Sequence, residues 1–239
     1  MWYGPIDKNA RFRLFCFPHA GGGAAIYMRF KRHLSCDVVP LFLPGRDRRL
    51  SERPFTIMTP LVDAIAEAIE PILDTPFAFF GHSMGALLAF EVARRLRDNK
   101  APLPTQLLIS SRRAPHLPDR DPPCSRLPDR QFINTLQQRY NALPQVVVDD
   151  PELLAVFLPI LRADYTMIEN WRFRPAPPLP FSIHGFHGTR EHTTAAEIAP
   201  WAEHTSKAFA MTPITGGHFY FVADPKPLLK AMGQVLGCP

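Results

Sequence analysis

The chain has 239 residues, of which 46% are hydrophobic and 21% charged, so it can bury a sizeable core and does not have the composition of a disordered protein. Its longest uncharged apolar stretch, around residues 77–90, falls short of the ~18 residues that a membrane-spanning helix requires, which excludes a spanning protein. The net charge of +5 favours an acidic partner, but the chain lacks the zinc-finger spacing, RNA-binding aromatic signature and Lys/Arg tract of nucleic-acid-binding proteins.

The first part of the chain alternates predicted strands and helices. The elements are, in order, a strand over residues 11–17, a glycine turn at 21–23, a helix over 24–33 and a strand over 36–43. Thr59 and Pro60 then predict the start of a helix, as N-cap and first turn. The apolar positions of that helix share one face: Leu61, Ile65, Ile69 and Ile72. We therefore expect this helix to face the core.

The next elements are shorter and more apolar. Residues 76–80 are wholly apolar, which is typical of a parallel strand covered on both faces. A sharp turn at 81–85, a helix over 86–97 and a buried strand over 105–110 follow. The strand-helix alternation therefore continues to residue 110.

From residue 112 to about 180 prolines accumulate, which predicts an insertion. Asp129 is predicted to cap one helix, and Asp150 with Pro151 to start another. Each helix has an apolar stripe, formed by Phe132, Leu136 and Tyr140 in the first and by Leu153, Leu154, Phe157 and Leu161 in the second.

The alternation resumes with a strand over 181–187, a helix near 195–204, a strand over 208–214 and a last helix over 225–236. This pattern predicts an α/β fold with an open, mainly parallel central sheet and helices on both faces. We expect a single domain over residues 1–239, in which the insertion, about 115–175, forms a helical lid over one edge.

The segment Gly81-His82-Ser83-Met84-Gly85 fits the Gly-x-Ser-x-Gly pattern of a nucleophile elbow, and it lies between a predicted strand and a predicted helix as that motif requires. The glycines allow a strained turn that exposes the serine hydroxyl at the helix N-terminus. Without this context the serine would be interpreted as a helix cap. The context favours Ser83 as a catalytic nucleophile.

A serine nucleophile needs a base and an acid, which in this type of site follow it in the order serine, acid, histidine. His218 follows the last predicted strand in a glycine turn, whereas His192 and His204 lie on or beside a predicted surface helix. Glu191 follows the strand over 181–187 and is the best candidate for the acid, the alternative being an exposed glutamate in an ion pair.

The glycine run after the first strand predicts an oxyanion hole. Backbone N–H groups of Ala20 and of Met84, the residue after the nucleophile, are the expected donors. A phosphate-binding loop is the alternative, but the run lacks the Gly-Lys-Ser/Thr of a P-loop and the spacing of a dinucleotide site.

A metal site is a further alternative, formed by His184, His187, Glu191 and His192. The two strand histidines are three residues apart and therefore point to opposite faces of the sheet. Ordinary polar residues at the end of a strand are favoured, and no metal or cofactor is expected.

In combination these motifs resemble the type II thioesterases that accompany nonribosomal peptide and polyketide synthases, a family of the α/β-hydrolase fold. The matching segments are CFPHAGG at 16–22, LPGR at 43–46, GHSMG at 81–85, SSRRAP at 110–115, LP at 158–159 with LRADY at 161–165, and GGHF at 216–219.

The resemblance implies a cofactor-independent serine thioesterase that removes aberrant acyl groups from the phosphopantetheine arms of acyl and peptidyl carrier domains. It places the nucleophile at Ser83, the base at His218 and the oxyanion donors at Ala20 and Met84. The family's acid is an aspartate in a Gly-x-x-Asp loop, and Glu191 occupies that place here with a tryptophan following at 201.

Two other functions are open: a small-ester esterase or lipase with the same triad, and a non-catalytic carrier-binding protein. Because carrier domains are commonly acidic, we expect the arginine clusters, Arg112 and Arg113 among them, to help dock them. The four cysteines are far apart and no secretion signal is visible, which favours reduced thiols in a cytoplasmic protein. The sequence leaves the oligomeric state open and is compatible with a monomer.

Overall fold

A computed structural model describes residues 1–237 of the chain. These residues form a six-stranded parallel sheet in the order β2-β1-β3-β4-β5-β6. Its strands are β1 (Arg13–Phe17), β2 (Asp37–Pro40), β3 (Phe77–His82), β4 (Gln106–Ser110), β5 (Ser182–Gly188) and β6 (Phe209–Ile214). The expectation of a mainly parallel central sheet is confirmed.

The helices follow the strands along the chain. They are α1 (Ala25–Met28), α2 (Met58–Ile69), α3 (Met84–Asp98), α4 (Asp129–Tyr140), α5 (Gln145–Asp149), α6 (Pro151–Asn170), α7 (Ala195–Ile198), α8 (Tyr220–Ala223) and α9 (Lys226–Leu236). The short helices α5 and α8 were not predicted, and the predicted helices over 24–33 and 195–204 each continue from an α-helical turn into a 3₁₀ segment.

Strand β1 shows how the sheet is covered on both faces. Phe15 and Phe17 pack in one apolar cluster with α2 and α3, whereas Leu14 and Cys16 pack in a second cluster with α1 and α9. Successive side chains of a strand point to opposite faces, so this alternation places a core on each side of the sheet. The predicted face of α2 is buried in the first of these clusters.

Two predicted helix caps are wrong. Helix α2 has Ile57 at its N-cap, so Thr59 lies inside the helix, and α4 has Pro128 at its N-cap, so Asp129 is its first residue. The prediction for α6 is confirmed, because the Asp150 side chain accepts hydrogen bonds from the N–H groups of residues 152 and 153.

Residues between β4 and β5 contain α4, α5 and α6 and have an apolar cluster of their own. Its buried members include Cys124, Phe132, Leu136, Val147 and Leu161. At the start of α6 the predicted stripe is not continuous, because Leu153 is exposed. That this segment acts as a lid, and that the chain is a single domain, remain predictions.

None of the helices within residues 1–237 combines the length and the apolar character needed to cross a membrane. Cys16 and Cys124 are buried thiols, and burial raises the pKa of both. The prediction of a reduced thiol at Cys238 lies outside the described residues.

Candidate active site

The Gly-x-Ser-x-Gly segment forms a tight corner between β3 and α3. Ser83 lies at the N-cap of α3 with φ 54° and ψ −114°, a conformation that is uncommon for a residue with a side chain. Its N–H donates to the Ser110 carbonyl at 2.8 Å, which ties the corner to the end of β4. Strain at a strand-to-helix turn is expected where a nucleophile must project from the sheet.

The two glycines of the corner are required by close packing. A Cβ atom on Gly81 would lie 2.1 Å from the Gly85 carbonyl oxygen, and one on Gly85 would lie 2.1 Å from the Phe17 carbonyl oxygen. The first turn of α3 is therefore pressed against both β3 and the end of β1. Met84 lies in the first apolar cluster, and Ala20 packs against that cluster.

His218 and Glu191 are brought together by the loops after β6 and β5. His218 Nδ1 lies 2.8 Å from Glu191 Oε2, and the two side chains are 4% and 0% exposed. The other carboxylate oxygen accepts hydrogen bonds from the Gly188 N–H at 2.6 Å and the Ser111 hydroxyl at 2.7 Å. Glu191 is thus a buried, fully bonded partner of His218, and the alternative of an exposed ion-paired glutamate is wrong.

The ring of His82 connects the corner with His218. Its centroid lies 4.8 Å from that of His218, and its Nδ1 is hydrogen bonded to the Ser110 hydroxyl at 2.8 Å. Burial lowers the pKa of His82 well below its ordinary value, and it lowers the pKa of His19, whose ring lies beside that of His82, to about 3. Both histidines are therefore neutral near pH 7 and place no charge beside His218.

Two contacts near His218 were not predicted from the sequence. The ring of Tyr140, at the end of α4, packs against that of His218 in a tilted arrangement with ring centroids 4.9 Å apart, and the Ser111 hydroxyl donates to the carboxylate of Glu191. Tyr140 appeared only as part of an apolar stripe. Its contact joins elements far apart in sequence, and no local pattern signals it.

The other candidate histidines have different partners. His192 Nε2 bonds Asp121 at 2.9 Å, and His204 Nε2 lies 2.7 Å from a ring nitrogen of His116. His184 bonds Thr212. Within the described part of the chain no group of three or more His, Cys, Asp or Glu side chains is arranged to hold a metal ion.

A cleft of about 730 Å³ lies beside the predicted oxyanion loop. Its walls are formed by the loop residues 19–23, by residues of the insertion, and by the segment after His218. The apolar lining includes Leu143, Val147, Phe157, Leu161 and Phe219. The arrangement provides an apolar chamber next to the backbone N–H groups of the loop.

Arg112 and Arg113 are not freely exposed. Both are half-buried, and Arg113 lies 3.5 Å from Glu197. The Arg112 carbonyl accepts a hydrogen bond from Trp201, and burial lowers the pKa of its guanidinium. That these two residues help to dock carrier domains stays a prediction.

Known proteins match nearly the whole chain. A family model described as a thioesterase domain matches residues 12–234. The chain is 34% identical to the gramicidin S biosynthesis protein GrsT of Aneurinibacillus migulanus, over 97% of this chain and 91% of GrsT.

Solved structures are similar over the same length. RedJ, a thioesterase from the prodiginine biosynthetic pathway in Streptomyces coelicolor, has a TM-score of 0.88 and 34% identity, covering 97% of this chain and 89% of that chain. BorB, the type II thioesterase from the borrelidin biosynthetic cluster, has a TM-score of 0.83 and 32% identity, covering 98% and 94%.

Proposed function

We propose that this chain, which belongs to the thioesterase family and is a hydrolase of thioesters, removes acyl groups from the phosphopantetheine arms of carrier domains. The observation that supports the proposal most strongly is the buried hydrogen bond between His218 and Glu191, next to the strained corner that presents Ser83. GrsT is named for gramicidin S biosynthesis, RedJ for the prodiginine biosynthetic pathway and BorB for the borrelidin biosynthetic cluster. An editing role, in which aberrant acyl groups are cleared from synthases, fits these relatives.

In the proposed reaction Ser83 Oγ attacks the thioester carbonyl carbon while His218 Nε2 takes the hydroxyl proton. The carbonyl oxygen becomes an oxyanion held by the N–H groups of Ala20 and Met84. The C–S bond then breaks, and the pantetheine sulfur leaves as a thiol with the proton from His218. Glu191 orients the imidazole and stabilises its cation throughout.

A second half-reaction regenerates the enzyme. Water attacks the acyl-serine carbonyl, His218 takes a proton from the water, and the tetrahedral intermediate collapses with return of the proton to Ser83 Oγ. The products are a carboxylic acid and the free serine. No metal or redox group takes part in either half-reaction.

The cleft beside residues 19–23 is suited to the acyl chain. Its apolar side chains belong largely to the insertion, among them Leu143, Phe157 and Leu161, so the insertion would set which acyl groups fit. A cover formed by this segment would also exclude water from the site during acyl transfer.

The proposal is tested by offering the purified protein a panel of acylated carrier domains and following the intact mass of each carrier. We expect loss of the acyl mass with the wild-type protein and no loss with Ser83→Ala. Nitrophenyl esters offered in parallel separate this function from a small-ester esterase, which would hydrolyse them in preference. Binding of carriers without hydrolysis would instead identify a non-catalytic carrier-binding protein and overturn the proposal.

A further inference from the structure

Two of the sequence motifs meet at one buried ion pair that the proposed reaction does not use. Arg46, from the LPGR segment, and Asp164, from the LRADY segment in α6, are 118 residues apart in sequence. Arg46 Nη2 lies 2.7 Å from Asp164 Oδ1 and Nη1 lies 2.8 Å from Oδ2, and the side chains are 5% and 2% exposed. The pair is therefore bidentate and shielded from water.

Both partners of the pair also bind the predicted oxyanion loop. Asp164 Oδ2 accepts the Gly21 N–H at 2.8 Å, and Arg46 Nη1 donates to the Gly22 carbonyl at 3.1 Å. Gly21 has φ +71°, and a Cβ atom there would lie 2.5 Å from Leu161, one turn before Asp164 in α6. Helix α6 thus holds this loop by a charged contact and an apolar contact at adjacent turns.

These contacts fix the orientation of the peptide that joins Ala20 to Gly21, because its N–H is committed to the carboxylate. The neighbouring peptide contains the Ala20 N–H, the donor expected to face the thioester carbonyl oxygen. Oxyanion donors act only when they are aimed at the place where the charge develops. We propose that Arg46 and Asp164 are positioning residues that hold the oxyanion loop in its active geometry and couple it to α6.

This inference rests on the proposed function, because it gives the pair a role in stabilising the transition state of that reaction. A merely structural role predicts a different result: variants would lose folded protein but keep normal activity in the molecules that fold. Every measurement is therefore normalised to the number of competent sites, counted by labelling Ser83 with a fluorophosphonate.

The insertion offers a matched control. Arg162, two residues before Asp164 in α6, pairs with Asp129 at 2.5 Å and with the carbonyls of Ser125 and Leu127. This ion pair anchors α6 inside the insertion and makes no contact with the oxyanion loop. Asp129→Asn thus breaks an Arg–Asp pair on the same helix without touching residues 19–23.

The test compares Asp164→Asn, Arg46→Lys and Asp129→Asn with the wild-type protein, using an acyl-pantetheine thioester and an acyl trifluoromethyl ketone that forms a tetrahedral adduct with the nucleophile. For Asp164→Asn we expect kcat per site to fall about 10–100-fold with little change in KM, because a displaced oxyanion donor weakens only the transition state. Affinity for the ketone should fall by the same factor. Arg46→Lys should show a smaller loss of both, and Asp129→Asn no loss.

A double variant, Arg46→Met with Asp164→Leu, removes the charges together, which often leaves stability unchanged or improved. We expect it to remain impaired in kcat and in ketone affinity even where its thermal stability equals that of the wild type. Wild-type kcat and ketone affinity per site in Asp164→Asn, or full recovery in the double variant, would overturn the inference. A wild-type protein that neither labels at Ser83 nor hydrolyses the thioester would instead refute the proposed function.

Discussion

Replacement of Glu191 is the most informative single change at the site, because the family to which the chain belongs is expected to have aspartate there. Glu191→Gln keeps the length and shape of the side chain and removes its charge, so the imidazolium that forms on His218 loses its stabilising partner. Loss of the acid in a serine triad costs about 10⁴-fold in kcat in other enzymes. We expect a loss of about 10³–10⁴-fold here, and a larger loss for Ser83→Ala.

Glu191→Asp tests the geometry of the loop. The side chain becomes one C–C bond shorter, about 1.5 Å, so the 2.8 Å contact between the carboxylate and His218 Nδ1 opens to about 4 Å, beyond hydrogen-bond range. The charge remains in the same pocket, which the Gly188 N–H and the Ser111 hydroxyl line in the wild-type protein. We therefore expect an intermediate loss, about 10–100-fold in kcat.

The assay is the steady-state hydrolysis of an acyl-pantetheine thioester, normalised to sites labelled by fluorophosphonate. Glu197→Gln is the matched control. Glu197, like Glu191, lies between β5 and β6, and its carboxylate forms an ion pair with Arg120 and does not contact His218. This variant should retain wild-type kcat. Wild-type kcat in Glu191→Gln would refute the assignment of Glu191 as the acid.

Three further predictions concern stability. Gly85→Ala places a Cβ atom 2.1 Å from the Phe17 carbonyl oxygen, so urea titration should show a loss of at least about 3 kcal/mol in the free energy of unfolding, and an unchanged value would contradict the packing described for α3. Because burial lowers the pKa of His82 well below 6.5, the unfolded chain binds a proton first as the pH falls, and stability should decline below about pH 6.5 by about 1.4 kcal/mol per pH unit for this histidine. His82→Gln should make that decline less steep, and an identical slope would show that His82 does not cause it. Trp201→Phe removes the indole N–H that donates to the Arg112 carbonyl and should cost about 1–3 kcal/mol in thermal or chemical unfolding.

The nucleophile corner could be predicted from sequence because its determinants are local. Two glycines flank Ser83 at the spacing that lets a helix pack against the strand before it, and the structure has this packing at Gly81 and Gly85. The sheet was predictable for a related reason, since alternating apolar strands and amphipathic helices leave few arrangements other than a parallel sheet.

Helix ends were predicted less well. Thr59 and Asp129 have side chains that commonly cap helices, yet α2 begins two residues earlier and α4 one residue earlier than the capping prediction allows. At α2 the buried Met58 lies at the first helical position and Ile57 has the extended backbone of the N-cap. Burial of apolar side chains outweighs the contribution of one capping hydrogen bond, about 1 kcal/mol.

The contacts that complete the site could not be predicted because they join residues distant in sequence. Arg46 and Asp164 were visible only as parts of two separate motifs, and Tyr140 only as part of an apolar stripe. Arg46 contacts Asp164 of α6, and Tyr140 of α4 contacts His218, so each pair joins segments that are far apart in the chain. A local pattern contains no information about such pairs.

The proposed reaction requires Ser83 to form a covalent acyl intermediate. Rapid quenching of the protein after mixing with an acyl-pantetheine thioester, followed by peptide mass mapping, tests it directly. We predict an acyl adduct on the peptide that contains Ser83, which accumulates within the first turnover and is absent from Ser83→Ala. Hydrolysis of the thioester by Ser83→Ala at the wild-type rate, or an adduct on a different residue, would contradict it.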